Sequence, residues 1–507
     1  MRQLSNIKAP LHLHSELGSS AESSHHHSSK SILLISFDFI KDNYADMTYS
    51  IAAILASLRH DSDLKFVSSD HYGINLSWLY EQFEQDTTKL NQHINQKMVE
   101  ELRKRVANYD YIAIGVTTWS NVHVEYLVNE VLGSYTGKII LGGYEITAMA
   151  ETELCDQYPT VTHFIKGYSE TALKKILLGQ YDNSRRIINE PLDLNDLRSP
   201  YLSGVLPLDS NSVHWETKRG CPYSCGFCEW GNAADKNVSA IDTQRLQDEI
   251  ILFQACGIKE INILDGTFNY GDTYLHILET LLHSTEANIT MQTRFENIRG
   301  AAGAEFMELC AKYSSRIKLE FGLQTIHRVE MKVIGRGNRL SQVISKMAEL
   351  NQHGINYEVS LIYGIPGQTY QSFYETIQFV KDNGCDNVRA FPLRIPRNSN
   401  MERLKNNLGV RETTLANNVD QVTSSYSFNR RDYDMMQQLA DNLRSGILSS
   451  KKSYVLADLK RKSTISLAQT NPYELKINKL LEVKKNEGYS REVPLGDVVM
   501  NRSVPVP

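Results

Sequence analysis

Three cysteines, Cys221, Cys225 and Cys228, lie close together in the run Lys218-Arg219-Gly220-Cys221-Pro222-Tyr223-Ser224-Cys225-Gly226-Phe227-Cys228-Glu229-Trp230-Gly231. Thiolates are the soft ligands that iron–sulfur clusters prefer. A four-iron, four-sulfur cluster has four irons to ligate, so three thiolates leave one iron open to a group that is not protein. Gly220, Pro222 and Gly226 supply the turns that a loop around a compact cluster requires. Lys218 and Arg219 would bring positive charge that favours the thiolate form. The competing readings are structural zinc, a disulfide pair and buried unligated thiols. Zinc wants four tetrahedral ligands, and no second Cys or His pair sits at zinc spacing nearby: His214 and Cys256 are isolated.

The elements that must hold this loop follow it in alternation. Asp242–Cys256 reads as an amphipathic helix, with Leu246, Ile250 and Phe253 on one face and Gly257 as its stop. Short apolar strands are predicted at Glu260–Leu264, Ile289–Thr293, Ile317–Leu323, Tyr357–Tyr363 and Asn387–Leu393. Helices are predicted between them at Tyr274–His283, Ala304–Tyr313, Leu340–His353 and Tyr370–Asp382. Strands alternating with helices predict a parallel sheet with right-handed crossovers, whose reactive groups gather at the carboxyl ends of the strands.

Those strand ends carry polar residues. Glu320-Phe321-Gly322-Leu323-Gln324-Thr325 is followed at a distance by Ile334-Gly335-Arg336, and then by Ser360-Leu361-Ile362-Tyr363-Gly364-Ile365-Pro366-Gly367-Gln368-Thr369. With the cysteine run, this resembles the radical S-adenosylmethionine (radical SAM) superfamily, in the branch that includes coproporphyrinogen-type and cobalamin-binding members. The resemblance implies that the open iron chelates the amino and carboxylate groups of SAM. Reductive cleavage of SAM then yields a 5′-deoxyadenosyl radical that abstracts hydrogen from substrate. It implies that Phe227 contacts the adenine, that Gln324 and Ser360 line the ribose, and that Arg336 pairs with the carboxylate, a task suited to a planar guanidinium fork. Gln292 stands where related proteins often place a glutamate. The superfamily's Gly-Gly-Glu segment corresponds to Leu264-Asp265-Gly266-Thr267, which keeps one glycine and one acid, so Asp265 joins the candidate SAM contacts. An external electron donor such as flavodoxin or ferredoxin is also implied.

Ahead of the barrel lies a second α/β pattern. Strands are predicted at Ile32–Phe37, Leu64–Ser68, Tyr111–Thr117, Lys138–Leu141 and Val161–Lys166. Helices are predicted at Thr48–Leu58, Ile94–Ala107, Val122–Leu132 and Glu170–Leu178. This is a doubly wound, Rossmann-like arrangement. Leu141-Gly142-Gly143-Tyr144-Glu145 and Lys166-Gly167-Tyr168-Ser169-Glu170, directly before the cysteine domain, resemble the cobalamin-binding class of radical SAM enzymes. The resemblance spans residues 31–400 or so. It implies a corrin resting on the strand ends and facing the SAM site. The candidate contacts are Thr117, Thr118, Trp119, Ser120, Gly142, Gly143, Glu145 and Gly167. The Asp-x-His-x-x-Gly motif that supplies a cobalt ligand in many B12 proteins is absent, and His71 lacks its spacing. The expectation is therefore cobalamin with no histidine on its lower face.

The chain has 507 residues and a formal net charge of −5, which allows several large cores and argues against a general polyanion binder. Seven cysteines, four of them scattered (Cys155, Cys256, Cys310, Cys385), argue against a secreted disulfide scaffold and against a second cluster. No apolar run reaches membrane-spanning length and no signal peptide is visible, so the expectation is a cytoplasmic protein with no membrane and no nucleic-acid partner. The overall expectation is α/β. Residues 1–30 form a disordered tail containing His25, His26 and His27. Residues 31–185 form a Rossmann-like domain, and 186–212 a linker centred on Glu190–Asp209. Residues 213–400 form a partial (β/α)6 barrel, and 401–507 a mixed, mainly helical substrate or capping region. That last region includes a helix over Arg430–Leu448 and a basic stretch over Leu443–Lys462, and it ends in a frayed Val504–Pro507. Three functions fit. The first is a cobalamin-dependent C-methyltransferase acting on an unactivated carbon of a natural product or peptide. The second is a radical SAM enzyme with an empty or structural B12-like domain that rearranges its substrate or transfers a SAM-derived fragment. The third is a non-catalytic iron–sulfur module. Tyr223, Trp230 and Arg389 are further residues that could face the cavity.

Overall fold

A computed structural model describes residues 29–445, apart from 42, 84–85, 183, 193, 195–196, 233–236 and 415–417. Residues 1–28 with His25–His27, the basic stretch beyond 445 and Val504–Pro507 lie outside the described residues.

Two six-stranded parallel sheets carry the fold. The first contains β1 (Lys30–Asp38), β2 (Val67–Asn75), β3 (Tyr111–Gly115), β4 (Lys138–Gly142), β5 (His163–Ile165) and β6 (Ile187–Ile188), in the order β2-β1-β3-β4-β5-β6. Its central strands are near-continuous apolar runs because helices cover both faces. Leu34, Ala113, Ile140 and Ile165 pack against the helices Tyr49–Arg59 and Glu170–Leu177 on one side. Leu33, Ile35, Ile112 and Leu141 pack into a separate cluster on the other.

The second sheet contains β7 (Ser212–Trp215), β10 (Glu260–Ile263), β11 (Asn288–Thr293), β12 (Ile317–Gln324), β13 (Asn356–Tyr363) and β14 (Val388–Pro392). Two short antiparallel strands, β8 (Lys218–Arg219) and β9 (Ser239–Ala240), lie beside it. Its order, β14-β13-β12-β11-β10-β7, follows the chain, as in an incomplete barrel. The crossover helices form where their stop signals stand. The Asp242 carboxylate accepts from the Arg245 N–H at 3.0 Å to open Thr243–Cys256, and Gly257 closes it in the left-handed region, with Leu246, Ile250 and Phe253 buried between.

Several elements differ from the sequence expectation. The expected strand Leu64–Ser68 is a 3-10 turn followed by β2, which starts at Val67. Leu64 is buried in that turn, and the polar β2 is an edge strand that pairs through its backbone on one side only. The helix expected at Ile94 begins at Thr87 and widens into a π turn at Met98–Leu102. The helix expected at Ala304 begins at Gly300. Within the linker segment, Leu194, Leu197, Tyr201 and Leu206 are buried in the second sheet's core. After β14 comes the helix Asn400–Leu404, then a hairpin of β15 (Arg411–Thr414) and β16 (Asp420–Ser424), then the helix Arg430–Arg444. The described part of this region is thus a hairpin between helices. Among the described residues no helix is long and apolar enough to cross a membrane.

Candidate functional site

The cysteine loop leaves β8 through Gly220, whose φ of 99° no side chain tolerates easily and whose Cβ would lie 2.0 Å from the Asn237 carbonyl. Downstream, the Gly226 N–H donates to the Ile334 carbonyl at 2.8 Å, which ties the loop to the segment that carries Arg336. Cys221 and Cys225 are buried and Cys228 is half-buried. All three line one cavity of about 170 Å³. Among the described residues no three His, Cys, Asp or Glu side chains converge as they would on a single metal ion. The cysteines stand around a space instead.

Five of the six expected SAM contacts, Phe227, Gln292, Gln324, Arg336 and Ser360, line the same cavity. They arrive from the cysteine loop, from β11, β12 and β13 and, for Arg336, from the segment after the helix Arg328–Val333. Gln324 has a positive φ of 70° at a register shift between β12 and β13, which turns its side chain at the strand end. Gly322 leaves the space this needs: a Cβ there would meet Gln324 Nε2 at 2.6 Å and Arg336 Nη2 at 3.4 Å. Arg336 is 8 % exposed. Its Nη2 donates to the Gly322 carbonyl, its Nη1 lies 3.9 Å from Cys225 Sγ, and its buried Nε has no partner. A buried guanidinium with an unused donor fits an incoming carboxylate.

Asp265 is the exception. It is 1 % exposed and does not face the cavity. Its carboxylate accepts the Thr217 N–H at 2.8 Å, the Thr217 hydroxyl at 2.5 Å and the Lys218 N–H at 3.2 Å. It therefore fastens the backbone that leads into the cysteine loop, while its neighbours Gly266 and Thr267 line the cavity. Lys218 and Arg219 are also spent elsewhere. Lys218 Nζ donates to the carbonyls of Phe268 and Tyr270 at 2.6 and 2.7 Å, and burial pushes its pKa down to about 8. Arg219 is held by Glu170 at 2.7 Å and Glu216 at 2.9 Å.

The charge beside the cysteines comes from Arg336 and from a residue the sequence did not single out, Arg294. Its Nη1 lies 4.0 Å from Cys225 Sγ, its Nε is 3.3 Å from Glu296, and its guanidinium sits 3.6 Å from the centroid of the Tyr223 ring. Arg294 and Glu320 line the cavity too, and so does Tyr223, whose hydroxyl donates to Asn297 at 2.7 Å. Arg294 directly follows the last residue of β11, and that strand-end position is the one signal that marks it in the sequence.

A second cavity, of about 680 Å³, opens at the carboxyl ends of the first sheet and runs between that sheet and the helix Tyr49–Arg59. Thr117, Trp119, Gly142, Gly143 and Gly167 line it, as expected. Thr118, Ser120 and Glu145 do not. Ser120 is fully buried and bonds the Thr117 N–H at 2.9 Å. The Thr118 hydroxyl lies between Glu145 (2.9 Å) and Glu229 (3.1 Å), and Glu145 is paired with Arg397 at 3.0 Å. His71 is engaged by the Ser36 hydroxyl at 2.8 Å, and burial pushes its pKa down to about 4. His214, isolated in the sequence, stands on the cavity wall with its ring stacked on Tyr44 at 4.2 Å. Trp230 also lines this cavity, two residues beyond Cys228, and its ring lies 3.7 Å from the Cβ position of Gly266 in the first cavity. It stands on the wall between the two spaces.

The three-cysteine loop and strands β10 to β13 of the barrel-like sheet fall within residues 215–380, which match the model of the radical SAM superfamily. The chain thus contains a radical SAM domain, which implies a four-iron cluster and SAM as its cofactors. It is 22 % identical over 337 residues to 2-(S-pantetheinyl)-carbapenam-3-carboxylate methyltransferase of Streptantibioticus cattleyicolor. It is 23 % identical over 338 residues to the cobalamin-dependent radical SAM methyltransferase TokK of Streptomyces tokunonensis. Each match covers 59 % of this chain and 49 % of the relative, so the aligned part is about half the length of these curated relatives. The radical SAM methyltransferase TsrM of Kitasatospora setae, solved with tryptophan and a SAM analogue, shares the fold at a TM-score of 0.56 and 13 % identity, over 82 % of this chain and 89 % of that one.

Proposed function

We infer that this protein is a cobalamin-dependent radical SAM enzyme that methylates an unactivated carbon of a natural-product or peptide substrate. One observation carries the reading: the cysteine-lined cavity and the larger cavity on the first sheet share a wall at Trp230 and Gly266. The larger cavity fits a corrin edge, because Gly142, Gly143 and Gly167 bring backbone to its rim and Gly115 leaves open space within 4 Å of its own Cβ position. The relative TokK, named a cobalamin-dependent radical SAM methyltransferase, and the similarly folded TsrM, solved with cobalamin and a four-iron cluster bound, support the same assignment.

When bound, the cluster and SAM would supply the radical and methylcobalamin the methyl group. The chain's own residues would do the positioning. Cys221, Cys225 and Cys228 hold the cluster, and Arg336 orients the SAM carboxylate. Gln324 and Ser360 hold its ribose, Phe227 packs on its adenine, and Gln292 takes a polar edge. Thr117, Trp119, Gly142, Gly143 and Gly167 form the corrin platform, while Thr118, Ser120 and Glu145 support it from behind. Electrons would come from an external donor of the flavodoxin or ferredoxin kind.

Anaerobic reconstitution with iron, sulfide and a corrinoid tests this. A bound corrinoid spectrum, together with transfer of labelled methyl from SAM to a product, is the expected result. SAM cleavage without corrinoid binding would leave a radical SAM enzyme of another kind. SAM cleavage that survives Cys225→Ala would overturn the cluster assignment.

A further inference from the structure

The inner face of the second sheet is charged where parallel barrels are ordinarily filled with apolar layers. Two adjacent rungs set its pattern. Gln292, Glu320 and Glu358 are in register across β11, β12 and β13, and Gly322, Ser360 and Arg389 are in register across β12, β13 and β14. Residues in register on parallel strands share a face. Glu320 and Ser360 line the cysteine cavity, so Glu358, Arg389 and, two residues on, Phe391 face the same lumen.

The charges are arranged unequally. Glu358 is 3 % exposed and takes Lys318 Nζ at 3.0 Å and Arg389 Nε at 3.0 Å; Lys318 also lies 3.6 Å from Glu320. Two bases and two acids sum to zero. Arg389 nevertheless keeps a side chain that is 57 % exposed, and its two terminal nitrogens have no hydrogen-bond partner among the described residues. Phe391 is 46 % exposed beside it. A free guanidinium edge next to an exposed aromatic ring, one strand from Ser360, is a binding surface rather than a packed wall.

We propose that this lumen binds the substrate, and that the substrate is a carboxylate monoanion with an apolar body: the carboxylate docks on Arg389 and the body on Phe391. A phosphate dianion would bring a second negative charge close to Glu320 and Glu358. A single carboxylate matches the two terminal N–H groups of one guanidinium. The proposal rests on the radical SAM reading, since the neighbouring cavity is what would act on such a substrate.

The test uses the full-length, cluster-reconstituted protein with two probes of nearly equal shape, indole-3-acetate and indole-3-acetamide, in equilibrium binding. The acid should bind at least about 10-fold tighter than the amide. Arg389→Gln should abolish that preference and Arg389→Lys keep part of it, while Phe391→Ala should weaken both probes alike. Equal binding of acid and amide, no binding of either, or a preference that survives Arg389→Gln would each overturn the proposal. SAM is titrated on the same samples. Lost SAM binding with an intact acid preference would count against the radical SAM reading alone, and intact SAM binding without the preference would count against this proposal alone.

Discussion

Arg336 and Arg294 both approach Cys225, yet they are built for different tasks. Arg336 has a buried Nε with no hydrogen-bond partner and, among the described residues, no ion pair, so its charge is available to a ligand. Arg336→Ala should lower SAM affinity by about 10- to 100-fold while iron and sulfide content stay unchanged; equal affinity would remove the clamp role. Arg294 is already paired with Glu296 and stacked on Tyr223, so its remaining contact is the thiolate sulfur. Hydrogen bonds and positive charge near cluster sulfurs favour the reduced state. Arg294→Gln should therefore shift the cluster's reduction potential to a more negative value in an EPR-monitored titration, and an unshifted potential would deny it that influence. At this scale spacing decided what was legible. The three cysteines, Phe227, Gln324, Arg336 and Ser360 belong to spaced motifs and share the cavity. Arg294 is a lone arginine with no spaced partner. Asp265 fell on a motif position, but its role depends on which way a side chain points after β10, which no spacing encodes.

Loops and strands explain why the cysteines sit where they do. Asp265 satisfies two backbone N–H groups and a hydroxyl while buried beside Lys218. Asp265→Ala would leave those three donors unsatisfied and remove the carboxylate 3.9 Å from the buried Lys218 ammonium, at a cost of about 3–5 kcal/mol; denaturant melts and iron retention should both fall. The alternation of strands and helices in the second half was legible because Gly257 and Gly354 mark helix ends and each inner strand keeps one apolar face. The polar edge strand β2 and the π turns at Met98–Leu102 and Leu127–Val131 left no such mark, since pairing and packing, not local pattern, hold them. His123 reports on the first sheet's packing. It is 1 % exposed, its ring stacks on Phe37 at 5.5 Å, and burial pushes its pKa from its ordinary 6.5 down to about 4. The unfolded chain therefore binds a proton in that window that the folded chain declines. Stability should be full above pH 6.5 and fall towards pH 4, by about 1.4 kcal/mol per unit at most. His123→Phe should flatten that slope in melts across the window, and an unchanged slope would assign the acid sensitivity to other groups.

At the scale of the whole molecule, the two sheets are joined by polar contacts that no local sequence pattern announces: Arg219 with Glu170, Arg397 with Glu145, and Arg245 Nη2 with the Tyr49 hydroxyl at 3.2 Å. The larger cavity belongs to this junction, since Glu216, Arg219 and Trp230 of the second half line it alongside the first sheet. Gly115→Leu places a side chain in the open space of that cavity without disturbing a positive φ. It should leave the melting temperature nearly unchanged and sharply reduce corrinoid uptake measured by visible absorption; full uptake would move the corrin elsewhere. Cys228 and Glu229 are consecutive. The first faces the cluster cavity, while the second meets the first sheet through the Thr118 hydroxyl and, at its carbonyl, the Tyr144 hydroxyl. One peptide unit is therefore both the end of the ligand set and the seam of the interface. A displacement of one half relative to the other would therefore be felt at Cys228, through the single peptide unit that joins it to Glu229.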